Sequence, residues 1–333
     1  MAVTGFISQG VVHVHPTLRC NLACAHCYST SSAQHTDQLA SESFLPHLEA
    51  LANDGYEVLS ISGGEPLLYG ELAQLALGAR SLGFRVHVIT NGFAVSARQV
   101  ETLSPLLDLV AISIDGDEAA HDALRRAQGS FRRAVASLRR FRDHGVRVAV
   151  VSCVTRTSLP LIPVLHDLCA REHVSLLSLR PIVDVGRAQE TASDATYLTP
   201  NDLLRLEITA QLLDDAAGTR VRADVAFAGD IRRERVHAYP FLGDVNSGTL
   251  AENVNPLVIR EDGYVIPYVY GMADDFALGR VIESPAELAE ARLEWLPRIR
   301  SLVLGAMDAL PERDQICVDW FEQVLHHSRT QLG

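Results

Sequence analysis

The sequence predicts an α/β protein: a parallel sheet built from six strand–helix units, followed by a smaller α+β region. Three observations support this. Short β-branched apolar runs alternate with amphipathic stretches from residue 11 to 182, polar residues gather where those runs end, and the pattern changes after Pro181. Strands are expected at Val11 to His15, Glu57 to Ser62, Arg85 to Thr90, Leu109 to Ile114, Val146 to Val154 and Val174 to Pro181. Helices are expected between them, near 42–53, 70–82, 96–105, 130–144 and 160–172, with a sixth near 201–216; each repeats apolar residues at spacings of three and four. Right-handed crossovers turn such an alternation into an open doubly wound sheet or a complete or partial barrel, and periodicity leaves both open. In either architecture, functional residues collect at the C-terminal ends of the strands. Thr90, Asn91, Gly92, Ser113 and Asp115 all fall there.

The last third reads differently. A polar stretch (Asp184 to Pro200) precedes the sixth helix, a strand is expected near 221–227, and irregular sequence runs to about 254. In LVIREDGYVIPYV, Asp262-Gly263 between two alternating apolar runs signals a hairpin. Helices near 285–305 and 312–328 close the chain. The expected division is a core over 1–190 and a second region over 191–333.

The composition excludes several classes of function. With 41 acidic against 29 basic residues and a formal charge of −12, the chain has no electrostatic footprint for nucleic acid. Arg132, Arg133, Arg139 and Arg140 read as a solvated helix face. No apolar run approaches the roughly 18 residues of a membrane span, and the opening MAVTGFISQG has no secretory pattern. A cytoplasmic protein without a membrane partner is expected. Of six cysteines, Cys153, Cys169 and Cys317 are scattered singly, whereas Cys20, Cys24 and Cys27 crowd into one stretch after the first strand. That clustering points to a metal rather than to a disulfide framework.

The segment RCNLACAHCYS has the spacing Cys-x3-Cys-x2-Cys, compact enough for one loop to wrap one centre. Thiolates suit iron–sulfur clusters and zinc alike. A cubane ordinarily takes four cysteines, so three local ones would leave one iron without a protein ligand and open to a bound molecule. The competing possibility is a structural zinc site completed by His26 or His15.

Several separated motifs together resemble the radical S-adenosylmethionine (radical SAM) superfamily. The cysteine motif with Tyr28 after its third cysteine, Gly63-Gly64-Glu65-Pro66 after the second strand, ITNG after the third, and ISIDG after the fourth occur in that family's order. LRRAQGSF (124–131) is similar to the segment that follows the fourth strand in SPASM-type members, and the likeness runs to LRPIVDVGRA near 188. The resemblance implies a partial (β/α)6 TIM-like barrel with a SPASM/twitch-like appendage. It implies that Cys20, Cys24 and Cys27 hold a [4Fe-4S] cluster whose open iron binds S-adenosylmethionine, which is cleaved reductively to a 5'-deoxyadenosyl radical. Tyr28, Gly63, Gly64, Glu65, Thr90, Asn91, Ser113 and Asp115 would then contact the cofactor, and a flavodoxin-type reductant is implied.

The chain also departs from that pattern. Tyr268 stands where the family places a cysteine for an auxiliary cluster, and Cys317 is the only cysteine beyond residue 169. The appendage is thus expected to keep the shape without the metal. A redox-neutral outcome such as epimerisation would need a hydrogen-atom donor, for which Cys153 and Cys317 are candidates. His13 and His15 alternate onto one face of the first strand, and Tyr264, Tyr268 and Tyr270 onto one hairpin face. A modified ribosomal peptide is the expected substrate; a small molecule such as a sugar, nucleoside or amino acid is the alternative, and a non-catalytic metal scaffold is a third possibility.

Overall fold

The computed structural model describes residues 9–193, 196–233 and 248–331. Residues 1–8, which open the chain, and 234–247, within the irregular stretch, lie outside the described residues. Six strand–helix units run in the expected order. They are β1 (Gly10–Val14) with α1 (Ser41–Asn53), β2 (Tyr56–Ile61) with α2 (Leu72–Ser81), β3 (Arg85–Thr90) with α3 (Ala97–Leu103), and β4 (Leu109–Ser113) with α4 (Glu118–Arg125) and α5 (Ser130–Asp143). β5 (Arg147–Val154) is followed by α6 (Ile162–Arg171), and β6 (Leu176–Pro181) by α7 (Ala188–Thr191) and α8 (Pro200–Leu213). α4 was not expected. Its eight residues are too few for periodicity to stand out, but the Asp117 carboxylate accepts the Ala120 N–H and starts it.

The sheet continues on both sides of these units. β7 (Arg220–Ala223) pairs parallel with β6, and β8 (Ala226–Phe227) follows it, so the strand expected near 221–227 is two short ones. After α9 (Ala228–Arg233) and α10 (Leu250–Asn253), β9 (Leu257–Ile259) and β10 (Tyr264–Pro267) form the expected hairpin, and β11 (Gly279–Arg280) pairs with β10. β9 lies parallel beside β1. The result is one ten-stranded sheet, in the order β11-β10-β9-β1-β2-β3-β4-β5-β6-β7. α11 (Pro285–Asp308), β12 (Cys317–Val318), which pairs with β8, and α12 (Trp320–Thr330) complete the chain.

Burial follows the two-residue period of the strands. In β1 and β3 alternate residues are buried and half-buried. Val12, Val14, Val86, Val88, Val110, Ile112, Val148 and Val150 face the helices and join one hydrophobic core. His13, His87, Ser113 and Cys153 occupy the other, half-buried face. The alternation stops at Pro267, because Tyr268 adopts a left-handed φ of 64°. Tyr264, Tyr268 and Tyr270 therefore do not share one face. Tyr264 lies under the Arg260 and Arg280 guanidinium groups, while Tyr270 packs against His15 and Tyr28.

Candidate cofactor site

The loop after β1 is pinned to the turn after β2. Gly64 N–H donates to Thr17 O (2.8 Å) and Glu65 N–H to Arg19 O (2.8 Å), while Cys20 N–H reaches Ser32 O (3.0 Å). This approach explains the glycine pair. A Cβ on Gly64 would lie 2.3 Å from Arg19 O, and Gly63 has a φ of 104°. Within the loop Cys20 and Cys24 are buried and Cys27 is half-buried, packed with Leu22, Phe93 and Ala127.

Glu65 organises the strand ends. It is only 2% exposed, and its carboxylate accepts Thr90 Oγ1 (2.7 Å), Leu67 N–H (3.0 Å) and Asn91 N–H (2.8 Å). Burial pushes its pKa up, and these three bonds oppose the rise. Asn91, so oriented, donates from Nδ2 to Asn21 Oδ1 (2.9 Å) and toward Cys20 Sγ (3.8 Å). Ser113, half-buried at the end of β4, makes no side-chain hydrogen bond among the described residues.

Asp115 is the deepest charge at the site, at 0% exposure. Its Oδ2 accepts Arg125 Nε (2.7 Å), its Oδ1 accepts the Cys153 N–H (2.9 Å), and its own N–H donates to His121 Nδ1 (3.1 Å). Burial alone would raise the carboxyl, but the Arg125 guanidinium overrides it and holds the pKa down at about 2. Arg125, 9% exposed, also directs Nη1 toward Cys24 Sγ (3.9 Å). Sequence reasoning missed Arg125, although its place in LRRAQGSF was noted; a charged residue on a helix reads as solvated until the fold buries it.

The opposite side of the loop is aromatic. Tyr28 Oη lies 3.4 Å from His15 Nε2, and Tyr270 stands 4.9 Å from the His15 ring and 5.2 Å from the Tyr28 ring, centre to centre. Tyr270 Oη donates to Glu261 (2.9 Å). Burial pushes the Tyr28 hydroxyl up to about 12 and lowers His15 to about 3, so His15 is neutral near pH 7. A second clamp also escaped the sequence reading. Gly186, at φ 60°, lies so close that a Cβ would stand 2.2 Å from Tyr28 O. The next residue, Arg187, donates to Cys27 O from its backbone (2.9 Å) and to Cys24 O (2.7 Å) and Ser31 O (2.7 Å) from its guanidinium.

The donor set distinguishes the two metals considered. Among the described residues no three His, Cys, Asp or Glu side chains converge on the position of a single ion. His15 faces Tyr28 and Tyr270 rather than the thiols and so does not complete a zinc site, while the His26 ring Nδ1 is buried without a partner. Three free thiols spread along one loop, two of them faced by N–H donors, suit a cubane with iron at separate corners. Burial and the neighbouring Glu65, Cys24 and Cys27 push the Cys20 thiol up to about 12 without metal, so binding a cation there releases protons. Of the two candidate hydrogen donors, Cys153 is tied through its N–H to Asp115. Cys317 sits in the β8–β12 pair, where burial, Glu207 and Asp230 push it up to about 12.

A strand-end loop of three thiols, set on the parallel strands β1–β7 of an α/β sheet, has the form of an enzyme that anchors an iron–sulfur cofactor. Residues 14–173 match the family model of the radical SAM superfamily. Residues 14–173 are thus a radical SAM domain, the kind that uses a [4Fe-4S] cluster and S-adenosylmethionine. When bound, these supply an electron and a 5'-deoxyadenosyl radical. Curated relatives include the Fe-coproporphyrin III synthase of Methanosarcina barkeri, 29% identical over 61% of this chain and 50% of its own length. The pre-heme d1 synthase of Dinoroseobacter shibae is 33% identical over 61% and 50%. The sporulation killing factor maturation protein SkfB of Bacillus subtilis is 30% identical over 52% and 43%. The chain thus spans about half the length of these relatives. Among solved structures, Streptococcus suis SuiB bound to its precursor peptide SuiA is similar at TM-score 0.62, with 18% identity over 78% of this chain and 59% of that one. anSMEcpe with AdoMet and the Cp18Cys peptide is similar at 0.63, with 17% identity over 97% and 96%. At such identities the likeness is one of fold. No described helix is long and apolar enough to cross a membrane.

Proposed function

We propose that this chain carries out its radical chemistry on a ribosomally made peptide, by epimerisation or crosslinking. In this reading Cys20, Cys24 and Cys27 hold the cluster, and Tyr28, Gly63, Gly64, Glu65, Thr90, Asn91, Ser113 and Asp115 form the S-adenosylmethionine site. A core over 1–190 carries that site, and the 191–333 region supplies a wall for the substrate. One supporting observation is that the sheet ends at β11 on one side and at β7 on the other, and these two strands do not pair to close it. The names of SkfB and of the SuiB and anSMEcpe peptide complexes support the same substrate class.

A second reading, a small-molecule substrate, is supported by the relatives named as Fe-coproporphyrin III and pre-heme d1 synthases. A flavodoxin-type protein would deliver the electron in the cytoplasm. If the product is an epimer, Cys153 or Cys317 gives the hydrogen atom to the substrate radical, and the same reductant restores the thiol.

The test is anaerobic turnover of reconstituted enzyme with peptides encoded beside its gene, in deuterated water. Epimerisation leaves 5'-deoxyadenosine and a peptide carrying solvent deuterium; crosslinking leaves a peptide that has lost hydrogen. 5'-Deoxyadenosine formed in step with a modified porphyrin, and with no peptide altered, would decide for the second reading.

A further inference from the structure

Among the described residues each sulfur of the cysteine loop has a polar side-chain neighbour, and only that of Cys24 is charged. Asn91 Nδ2 is 3.8 Å from Cys20 Sγ, and Ser29 Oγ is 3.6 Å from Cys27 Sγ. Arg125 Nη1 is 3.9 Å from Cys24 Sγ. Arg125 also belongs to a buried ion pair, through Nε to Asp115 Oδ2 at 2.7 Å. Asp115 cannot drift, because its other oxygen is fixed by β5 at the Cys153 N–H. The pair is thus a rigid dipole, shielded from solvent screening, with its positive end on one cysteine sulfur. A neutral thiol is a weak acceptor and gains little from a buried guanidinium, whereas a cluster thiolate accepts strongly.

We propose that the Asp115–Arg125 pair sets the reduction potential of the cluster. Arg125 stabilises the reduced state through Cys24, and Asp115 both positions Arg125 and limits its charge. This rests on the reading of Cys20, Cys24 and Cys27 as the ligands. Reduction adds one electron to the cluster from an external donor, and a cation donating to a ligand sulfur favours that added charge while a nearby carboxylate opposes it. Toward the cluster both residues act through Cys24, and in that role they are positioning residues.

The test uses the full chain, reconstituted anaerobically, with and without S-adenosylmethionine, in dye-mediated potentiometric titrations read by EPR of the reduced cluster. Arg125→Gln is expected to move the midpoint to more negative values and Asp115→Asn to less negative values. The double variant is expected between the two. Shifts of the same sign, or none, would overturn the proposal, because a role in packing alone gives no opposite signs. Should Arg125→Gln fail to fold, the double variant and Asp115→Asn still differ only in the Arg125 charge, and equal midpoints in that pair sink the idea. If the parent takes up no [4Fe-4S] cluster, or keeps it after Cys24→Ala, the ligand assignment fails and takes the proposal with it. A loaded parent whose variants share its midpoint defeats the tuning alone.

Discussion

The cysteine loop is held from two sides by different physics. Toward α4 the contacts are charged and buried: Asp115, Arg125 and the sulfur of Cys24. Toward the β9–β10 hairpin they are rings, His15 and Tyr28 against Tyr270, with one hydroxyl bonded to Glu261. Charge pairs demand fixed geometry and fail abruptly when one partner is lost, whereas ring packing tolerates small losses. The charged side is therefore the more demanding of the two, and the aromatic side, to which the C-terminal region contributes Tyr270, the more forgiving.

Four changes test that contrast. The largest effect is expected for Cys20→Ala, Cys24→Ala or Cys27→Ala, which remove a cluster corner. Each should abolish 5'-deoxyadenosine formation and the broad visible absorption of the reconstituted protein, while the metal-free variants still fold. Next is Arg125→Met, which leaves the Asp115 carboxylate buried and unpaired. A loss of about 3–5 kcal/mol is expected for such a break, measured by urea unfolding of the metal-free chain, and a loss below about 1 kcal/mol, the level of an exposed pair, would show the charged side to be as forgiving as the aromatic one.

Acid offers a third test. His15 is lowered from 6.5 to about 3 and His121 to about 4, both through burial. The unfolded chain takes up these protons first, so the stability they contribute is full above about pH 6.5 and falls as pH drops toward 4. Asp115, lowered from 3.8 to about 2, adds stability that survives until pH falls below about 4. Unfolding midpoints of the metal-free protein between pH 7 and 4 should therefore decline, and His15→Gln should flatten the decline. The smallest effect is expected for Tyr270→Phe, which keeps the ring and removes the bond to Glu261. A cost of about 1 kcal/mol is expected, with cluster loading unchanged, and loss of cluster from this variant would mean that the two sides are not separable.

Much of this arrangement could be read from the residues, and the unread parts share a cause. The alternation from Val11 onward and the Cys-x3-Cys-x2-Cys spacing are local, so the sheet and the thiol loop were legible. The glycine pair was read as a cofactor contact, while the structure adds that Gly64 lets the cysteine loop lie against its turn. Arg125, Gly186 and Arg187 act on residues 101 to 163 positions away, and nothing in their local sequence marks them as buried or in contact. Tyr270 was placed on one hairpin face with Tyr264 and Tyr268, and that grouping failed because one left-handed residue, Tyr268, breaks the strand register before it.

The position of β1 has a further consequence. Val12, His13 and Val14 are paired on one side with β2 and on the other with β9, and the His15 N–H is bound to Ile259 O (2.9 Å). The strand that launches the thiol loop is thus interior to the sheet, where amide protons exchange only on global opening. Loss of iron is therefore expected to leave this strand paired, and slow exchange of its amide protons in metal-free protein would show it.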